Sequence, residues 1–336
     1  MSWNFYKDKT VLVTGGAGLV GQSLIRLLVP AGAIVTATEY KTRKVDATLR
    51  DKINTLQVDL MTDGDADLYE GQEIVFWGAA KVGGAKAIKE DPMGLVQYNL
   101  ELASKNIHAA VKAKVERFCY LSSSYVYPTS ALPSGERDIY LNDVPIEHYG
   151  LGHIKRFMEN LCRAHLLTSE TRFSLVRPTA IYGPHDNFDL ESCHVIPALI
   201  RKVAEEQNPL EVWGDGSEQR QFTYVDDLAE GMMRATAVYA TAEPINIATP
   251  QVSTVLDVVR ELLNIVGRPW FKDITPEQRL IDRGPPQLVN FIGDKPTTIS
   301  KRLVDVGKCK RMLGYECKTT LRDGLEKTYG WYGGIV

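Results

Sequence analysis

The sequence predicts an α/β protein: a doubly wound, mostly parallel sheet with helices on both faces and a smaller C-terminal lobe. Three observations carry that reading. First, β-branched apolar runs alternate with amphipathic helical stretches from Thr10 to Arg177, the pattern of strand–helix–strand units that build a parallel sheet. Second, the run Thr10-Val11-Leu12-Val13-Thr14 passes through Gly15-Gly16-Ala17-Gly18-Leu19-Val20-Gly21 into the apolar-faced helix of Leu24-Ile25-Arg26-Leu27-Leu28. Third, the texture changes from Pro178, where loops rich in Gly, Pro and aromatic residues replace strict alternation. The chain therefore divides into a first domain, residues 1–177, and a lobe, residues 178–336, with parts of 220–250 returning to the first domain.

The first strand lacks polar alternation and is expected to be buried on both faces. The glycines at 15, 18 and 21 permit a tight turn, close approach of backbone to a pyrophosphate, and close packing of helix on strand. The pyrophosphate then meets the helix N-terminus at Leu19 and Val20, where unpaired N–H groups and the helix dipole favour an anion. A strand–glycine–helix unit of this Rossmann type points to a dinucleotide cofactor. Ala33 to Thr38 reads as the second strand, and Glu39 at its end lies 24 residues after Gly15. A carboxylate there holds the adenosine ribose hydroxyls and repels a 2′-phosphate, favouring NAD over NADP. Lys41, Arg43 and Lys44 follow and soften that preference, leaving NADP open; a solvated charge cluster is the alternative reading. Residues 55–60 form the third strand, with Asp59 and Leu60 toward the adenine. Residues 73–80 form a fourth, running into Lys81-Val82-Gly83-Gly84, and its small residues, including Ala79 and Ala80, let backbone pass beside the cofactor.

Met93 to Val111 has helical spacing, with Leu95, Leu102, Ile107 and Val111 as its buried face. Residues 117–124 form a fifth strand ending in the hydroxyls of Ser122, Ser123 and Ser124. A second long helix runs from Tyr149 to Leu167, with Leu151, Ile154, Met158, Leu161 and His165 on one side. The sixth strand is 172–177. In the lobe, 222–225 and 245–247 read as strands, 226–239 and 254–266 as helices, and 321–331 lie in the last helix.

Formal net charge is −3 over 336 residues, no electrostatic footprint for nucleic acid or a membrane surface. A composition of 44% hydrophobic and 24% charged residues is that of an ordinary soluble domain. No apolar run approaches membrane length, and the polar and aromatic residues 1–9 do not read as a secretory signal. The five cysteines are odd in number and lack metal-ligand spacing, so reduced thiols in a cytoplasm and no metal site are expected.

Gly15-x-x-Gly18-x-x-Gly21, Ser122-Ser123-Ser124-Tyr125-Val126-Tyr127-Pro128, a tyrosine at 149 opening a helix, and Arg177-Pro178-Thr179 before Tyr182-Gly183-Pro184 together resemble the extended short-chain dehydrogenase/reductases. Within that family, Ala79 to Gly84, Gly183-Pro184-His185-Asp186-Asn187-Phe188 and His194-Val195-Ile196-Pro197 are most similar to the GDP-L-fucose synthase branch. The block from Trp213 through Arg220 to Asp227 is similar to GDP-mannose 3,5-epimerases as well. The resemblance implies a nucleotide-sugar oxidoreductase on a GDP-linked hexose, either a 4-keto reductase or an epimerase working through a transient keto sugar. The alternative is a catalytically weakened protein that binds NAD and a nucleotide sugar. A homodimer paired through helices near 95–112 and 150–166 is also implied.

By the same resemblance, Ser123 hydrogen-bonds the sugar oxygen that changes oxidation state, and Tyr149 moves its proton. Asn99 holds active-site backbone or water, and Pro178 borders the cofactor. Val82, Ser124, Asn187, Val195, Lys202 and Trp213 line the nucleotide-sugar site, where Arg220 clamps the diphosphate bidentately, as a planar guanidinium can. His194 is an acid/base in the family's epimerisations. Lys301 and Arg302 either assist from the C-terminal lobe or form a solvated basic pair. The sequence departs from the family at several positions. Four residues after the tyrosine the family has lysine; this chain has His153, able to donate one hydrogen bond to the nicotinamide ribose. Lys155 lies about 200° further round the helix axis and is expected to point elsewhere. Tyr125 stands where the similar epimerases carry an acid/base cysteine, and Ala180 where a diphosphate-contacting asparagine is expected. No carboxylate accompanies the serines, which disfavours elimination.

Overall fold

The computed structural model describes residues 3–83, 91–268, 289–293 and 299–334; Gly84 of the small-residue segment lies outside them. In chain order the strands are β1 (Thr10–Thr14), β2 (Ile34–Glu39), β3 (Asn54–Gln57), β4 (Ile74–Trp77), β5 (Arg117–Leu121), β6 (Arg172–Pro178) and β7 (Ala180–Tyr182). Then follow β8 (Leu210–Trp213), β9 (Gln219–Arg220), β10 (Phe222–Tyr224), β11 (Pro244–Ile247), β12 (Ser253–Thr254), β13 (Val289–Ile292) and β14 (Lys301–Arg302). The described helices are α1 (Leu19–Leu28), α2 (Ala47–Arg50), α3 (Ala66–Tyr69), α4 (Pro92–Lys112) and α5 (Tyr149–Thr168). They continue as α6 (Val195–Ala204), α7 (Val225–Val238), α8 (Val255–Ile265), α9 (Gly307–Leu313) and α10 (Leu321–Gly333).

Seven strands form the main sheet in the order β11-β6-β5-β4-β1-β2-β3, and each neighbouring pair is parallel. Alternate residues of a strand face opposite sides. In β1, Val11 and Val13 enter the core shared with α1 and α7, while Leu12 enters the core shared with α4 and α5. β4 repeats the division, with Ile74 and Phe76 on the first side and Val75 and Trp77 on the second. Helices thus cover both faces, which is why these strands are apolar without interruption. The third strand ends at Gln57, short of the expected Leu60. Asp59 opens a turn there, its carbonyl accepting from the Thr62 and Asp63 amides.

Helix α4 starts where Asp91 accepts from the Gly94 amide, an N-cap followed by proline in the first turn. It buries Leu95, Leu102 and Ile107 as expected, with Val111 only partly buried. Helix α5 turns Ile154, Met158 and Cys162, spaced by four, into the same core. In the lobe, α6, α8 and α10 close over β8 and β10, and Thr254 and Asp257 make a reciprocal cap on α8.

The chain returns to the sheet domain after Tyr224: α7 packs in the α1 core, and β11 forms the sheet edge. Cys309, Leu313, Tyr315 and Cys317 join that core too, a second return that the sequence reading left in the lobe. The carboxyl ends of β1, β4, β5 and β6 converge on a cleft facing the lobe, the place where open α/β sheets take ligands. No described helix is long and apolar enough to cross a membrane. Among the described residues no three His, Cys, Asp or Glu side chains cluster to hold a metal ion.

Candidate active site

The cleft has a volume of about 1380 Å³, more than a single small-molecule site needs and enough for two elongated ligands. Its floor is the glycine turn: Gly15, Ala17, Gly18, Leu19, Val20 and Gly21 all line it. Gly15 has φ +67°, a left-handed conformation that side chains disfavour, and its amide donates to Thr38 Oγ1 at 3.0 Å. A Cβ on Gly21 would come 2.3 Å from the Gly15 carbonyl oxygen, so only glycine lets α1 start this close to β1. Gly18 caps α1 without any side-chain acceptor. The first amides of the helix are therefore left to an anion from the cleft. This cradle fits a dinucleotide diphosphate.

Beside the cradle, Thr38, Tyr40, Lys41, Arg43, Asp59 and Leu60 line the cleft, but Glu39 does not. Its side chain turns inward, only 1% exposed, to Lys44 and Arg50, each at 3.1 Å, and accepts from the Val45 amide at 2.9 Å. Burial opposes its charge, yet the Val45 amide and the two cations hold its pKa below the ordinary value. The expected contact of Glu39 with the ribose is thus corrected: the carboxylate organises residues 44–50, and basic side chains face the cleft instead. Asp59 Oδ1 accepts from the Met61 amide. On the next strand end, Ala79, Ala80, Lys81 and Val82 line the cleft. Asn99 holds that segment from both sides: Oδ1 accepts from the Lys81 amide at 2.9 Å, and Nδ2 donates to the Lys81 carbonyl at 3.0 Å.

Ser122, Ser123, Ser124 and Tyr125 leave β5 into the cleft, and Ser123 Oγ accepts from the Tyr125 amide at 3.1 Å. Opposite them α5 presents Leu151, Ile154 and Lys155. Tyr149 and His153 are not brought into the cleft with Ser123. Tyr149 is 48% exposed, its ring lies 4.4 Å from that of His153, and His153 Nε2 is 2.8 Å from the exposed Asp143. The cause is helix phase: the core takes Ile154, Met158 and Cys162, which turns 151 and 155 to the cleft and 149 and 153 outward. Lys155 Nζ donates to the Leu121 carbonyl at 2.9 Å and lies 4.9 Å from the Tyr120 ring centre. Burial pushes its pKa down to about 8. One turn further, Glu159 is fully buried, accepting from Ser122 Oγ and from Arg177, itself fully buried.

The lobe supplies the other wall. His194 sits just before α6 and stays open to the cleft interior, where desolvation by the walls lowers its pKa. Val195, Asn187, Lys202 and Trp213 line the same wall. Asn187 Nδ2 donates to Ser192 Oγ, and Lys202 Nζ donates to the Glu211 carbonyl. Asp186 is pushed up to about 7 by burial; one of its oxygens accepts from the Asn187 amide, and the other has no hydrogen-bond partner among the described residues. Arg220 and Arg302 are register partners of the parallel pair β9–β14, and both line the cleft. Arg220 donates to the carbonyls of Gln219, Ser300 and Ile299. Burial lowers Arg302 to about 10. Pro178, Thr179 and Ala180 close the cleft at the end of β6.

The sequence profile of the NAD dependent epimerase/dehydratase family matches residues 11–248. This chain belongs to that family. It is 30% identical to GDP-L-fucose synthase 1 of Arabidopsis thaliana over 97% of this chain and 94% of that protein. It is 28% identical to the dTDP-4-dehydro-6-deoxy-D-allose reductase of Streptomyces bikiniensis over 99% and 98%. The solved structure of an epimerase from Methanothermobacter thermautotrophicus superimposes with a TM-score of 0.83, at 26% identity, over 98% of this chain and 94% of that one.

NAD is the cofactor of the family, and the glycine cradle of this member fits its diphosphate. The sequence reading takes Leu151 as a helix-face residue and does not single out Glu159, and its expectation that Lys155 points elsewhere is corrected by the cleft, although the common spacing of four places all three along one helix edge. That spacing, read with Arg177 as the partner of Glu159, was the available signal. Asp186 and the cleft-facing Tyr40 carried no such signal, because their placement depends on how the lobe meets the sheet.

Proposed function

We propose that this protein is a nucleotide-sugar oxidoreductase of the extended short-chain dehydrogenase type, a 4-keto reductase or epimerase acting on a GDP-linked hexose. One observation carries the reading. A single cleft contains the glycine cradle, the Ser123 hydroxyl, the Lys155 ammonium and the basic wall of Lys202, Arg220 and Arg302. Two diphosphates suit this arrangement: one on the α1 N-terminus, the other on guanidinium groups. The names of the relatives, a GDP-sugar synthase and a dTDP-sugar reductase, support the substrate class.

Bound NAD accepts a hydride, and its reduced form donates one. The protein's own residues position and polarise. Asn99 keeps the Lys81 segment in shape, Lys155 would hold the cofactor's ribose, and Ser123 would hydrogen-bond the reacting sugar oxygen. Arg220 and Arg302 hold the sugar's diphosphate. A homodimer through α4 and α5 is part of this reading, supported by Phe157 and Leu167 standing 54% and 85% exposed on α5. A monomer in sedimentation at micromolar concentration would remove that part. Five free cysteines suit a cytoplasm.

A second reading is favoured by one observation, the leucine at 151 in place of a proton-carrying side chain one turn before Lys155. In that reading the protein binds NAD and a nucleotide sugar without turnover. The test is direct: identify bound cofactor by absorbance and mass, then add GDP-, UDP- and dTDP-hexoses and their 4-keto derivatives. A change in cofactor redox state, with NMR of the product, supports the enzyme; tight binding of both ligands with no redox change supports the binding protein.

A further inference from the structure

We infer that Tyr125 is the proton carrier of the hydride-transfer reaction, acting from the serine turn instead of from α5. The inference rests on the oxidoreductase reading above. Among the described residues, four tyrosines line the cleft: Tyr40, Tyr98, Tyr125 and Tyr182. Tyr40 and Tyr98 interact with one another near Asp59, at the β2–β3 end. Tyr182 is buried and donates to the Leu321 carbonyl. Only Tyr125 comes from the same turn as Ser123, whose hydroxyl accepts its amide.

The Tyr125 backbone is also held against α5, one residue beyond Leu151. Gly152 lets α5 approach so closely that a Cβ there would lie 2.4 Å from the Tyr125 carbonyl oxygen. The Tyr125 ring is held between two groups: the His148 ring stacks on it at 4.2 Å and 12°, and the Arg302 guanidinium lies 4.3 Å from its centre. His148 is buried, its ring nitrogens have no hydrogen-bond partner among the described residues, and burial together with Arg302 and Arg220 pushes its pKa down to about 3, so it stacks as a neutral ring. Arg302 and Arg220 both interact electrostatically with Tyr125, with Glu147 acting on the first and Glu218 on the second. Two guanidinium groups and the stacked His148 ring thus hold the phenol on the serine-turn side of the cleft, against the wall that takes the sugar's diphosphate.

In the reductive direction the sugar's carbonyl carbon receives a hydride, two electrons and one hydrogen, from reduced nicotinamide. The carbonyl π pair moves to oxygen and takes the Tyr125 proton, giving the alcohol. The phenolate left behind recovers a proton from water in the cleft. Oxidation reverses every transfer: the phenolate takes the hydroxyl proton as the carbon loses hydride to NAD.

Tyr125→Phe keeps the ring between His148 and Arg302 and removes only the hydroxyl. With a keto sugar that the wild type turns over, it is expected to lower kcat at least 100-fold, the lower end of general acid–base effects, while NAD affinity and the unfolding midpoint stay unchanged. Tyr149→Phe is expected to remain within twofold of wild type. A readout independent of turnover uses the cofactor-free protein: the tyrosinate absorbance of wild type minus Tyr125→Phe titrates as one group, and adding GDP-hexose moves its midpoint. Fluorotyrosine at position 125 keeps the fold and is expected to shift the basic limb of the oxidation profile to lower pH. Turnover by the wild type together with near-normal turnover by Tyr125→Phe, or collapse in Tyr149→Phe, overturns the inference and leaves the oxidoreductase standing. A wild type that binds NAD and nucleotide sugar but turns over nothing overturns both.

Discussion

Lys155→Met separates what this lysine does for the fold from what it does for the site. Its ammonium meets the Leu121 carbonyl and the face of Tyr120, and it makes no ion pair among the described residues. The nearest carboxylate along the helix, Glu159, is engaged by Arg177 and Ser122. Burial therefore lowers the lysine from its ordinary 10.5 to about 8. Between those two values the unfolded chain holds a proton that the folded protein has lost, so stability rises with pH across the window. Below pH 8 the buried charge costs up to about 3 kcal/mol. Methionine is close in shape and carries no charge. It relieves that cost but forfeits one hydrogen bond worth about 1 kcal/mol. The variant should be about 2 kcal/mol more stable than wild type at pH 7; the gap should close near pH 10 and reverse by up to about 1 kcal/mol above it. Urea unfolding of both proteins at pH 7, 8.5 and 10 measures it. A gap independent of pH, or a variant less stable at pH 7, would refute the reasoning. The same substitution should weaken NAD binding by at least tenfold, the combination expected when a site residue is kept at the expense of stability.

Glu159→Gln leaves the fully buried Arg177 without its counter-charge and should destabilise the protein by about 3–5 kcal/mol in chemical denaturation; a loss below about 1 kcal/mol would mean Arg177 finds water. Glu39→Gln should change the ratio of NAD to NADP affinity less than threefold, whereas Arg43→Ala should weaken NADP selectively, both by fluorescence titration. A tenfold relaxation in Glu39→Gln would return its carboxylate to the ribose. Asp186, raised from 3.8 to about 7 by burial, holds a proton in the folded protein that the unfolded chain has lost. Stability should therefore fall as pH rises through 3.8 to 7, by up to about 4 kcal/mol, and Asp186→Asn should flatten that slope. Arg302→Ala should cut turnover at least tenfold and leave NAD affinity within twofold, the reverse of the affinity loss in Lys155→Met; equal losses of NAD affinity in both would contradict the division of labour between the two cations.

Much of the fold was legible because its rules are local. A run of Val and Leu with no polar partner must be buried on both faces, and Val11, Leu12 and Val13 divide between the two cores accordingly. Gly21 is dictated by an atom only six residues away, the Gly15 carbonyl. The less legible parts depend on contacts distant in sequence or on helix phase. Glu39 ends the expected strand, but its direction is decided by the Val45 amide and by Lys44 and Arg50. For α5 the angular arithmetic was sound and its reference was displaced. His153 and Lys155 do lie on opposite sides of the helix, yet the side facing the cleft is that of Lys155. Which side that is follows from the burial of Ile154, Met158 and Cys162 against β5 and β6, a property of the assembled sheet.

The phase of α5 also explains how the helix retains its structural contacts while the reacting group moves. Lys155 reaches the end of β5 at Leu121, and Glu159 ties Ser122 to Arg177 on β6. These contacts fix the serine turn against the helix whatever stands at 151. A tyrosine one turn before Lys155 would share that lysine's charge, so cofactor grip and proton transfer would depend on one cation. With leucine there, that sharing does not arise, and the cations beside Tyr125 come from Arg220 and Arg302 in the lobe. The Lys155 contacts thus lie within the sheet domain, whereas the guanidinium groups beside Tyr125 lie on the β9–β14 pair of the lobe, with Arg302 already 4.3 Å from the ring centre. A nucleotide sugar whose diphosphate engages the same two arginines would meet them already placed beside the serine turn, so its binding would orient the sugar toward Tyr125 and couple substrate occupancy to the chemistry.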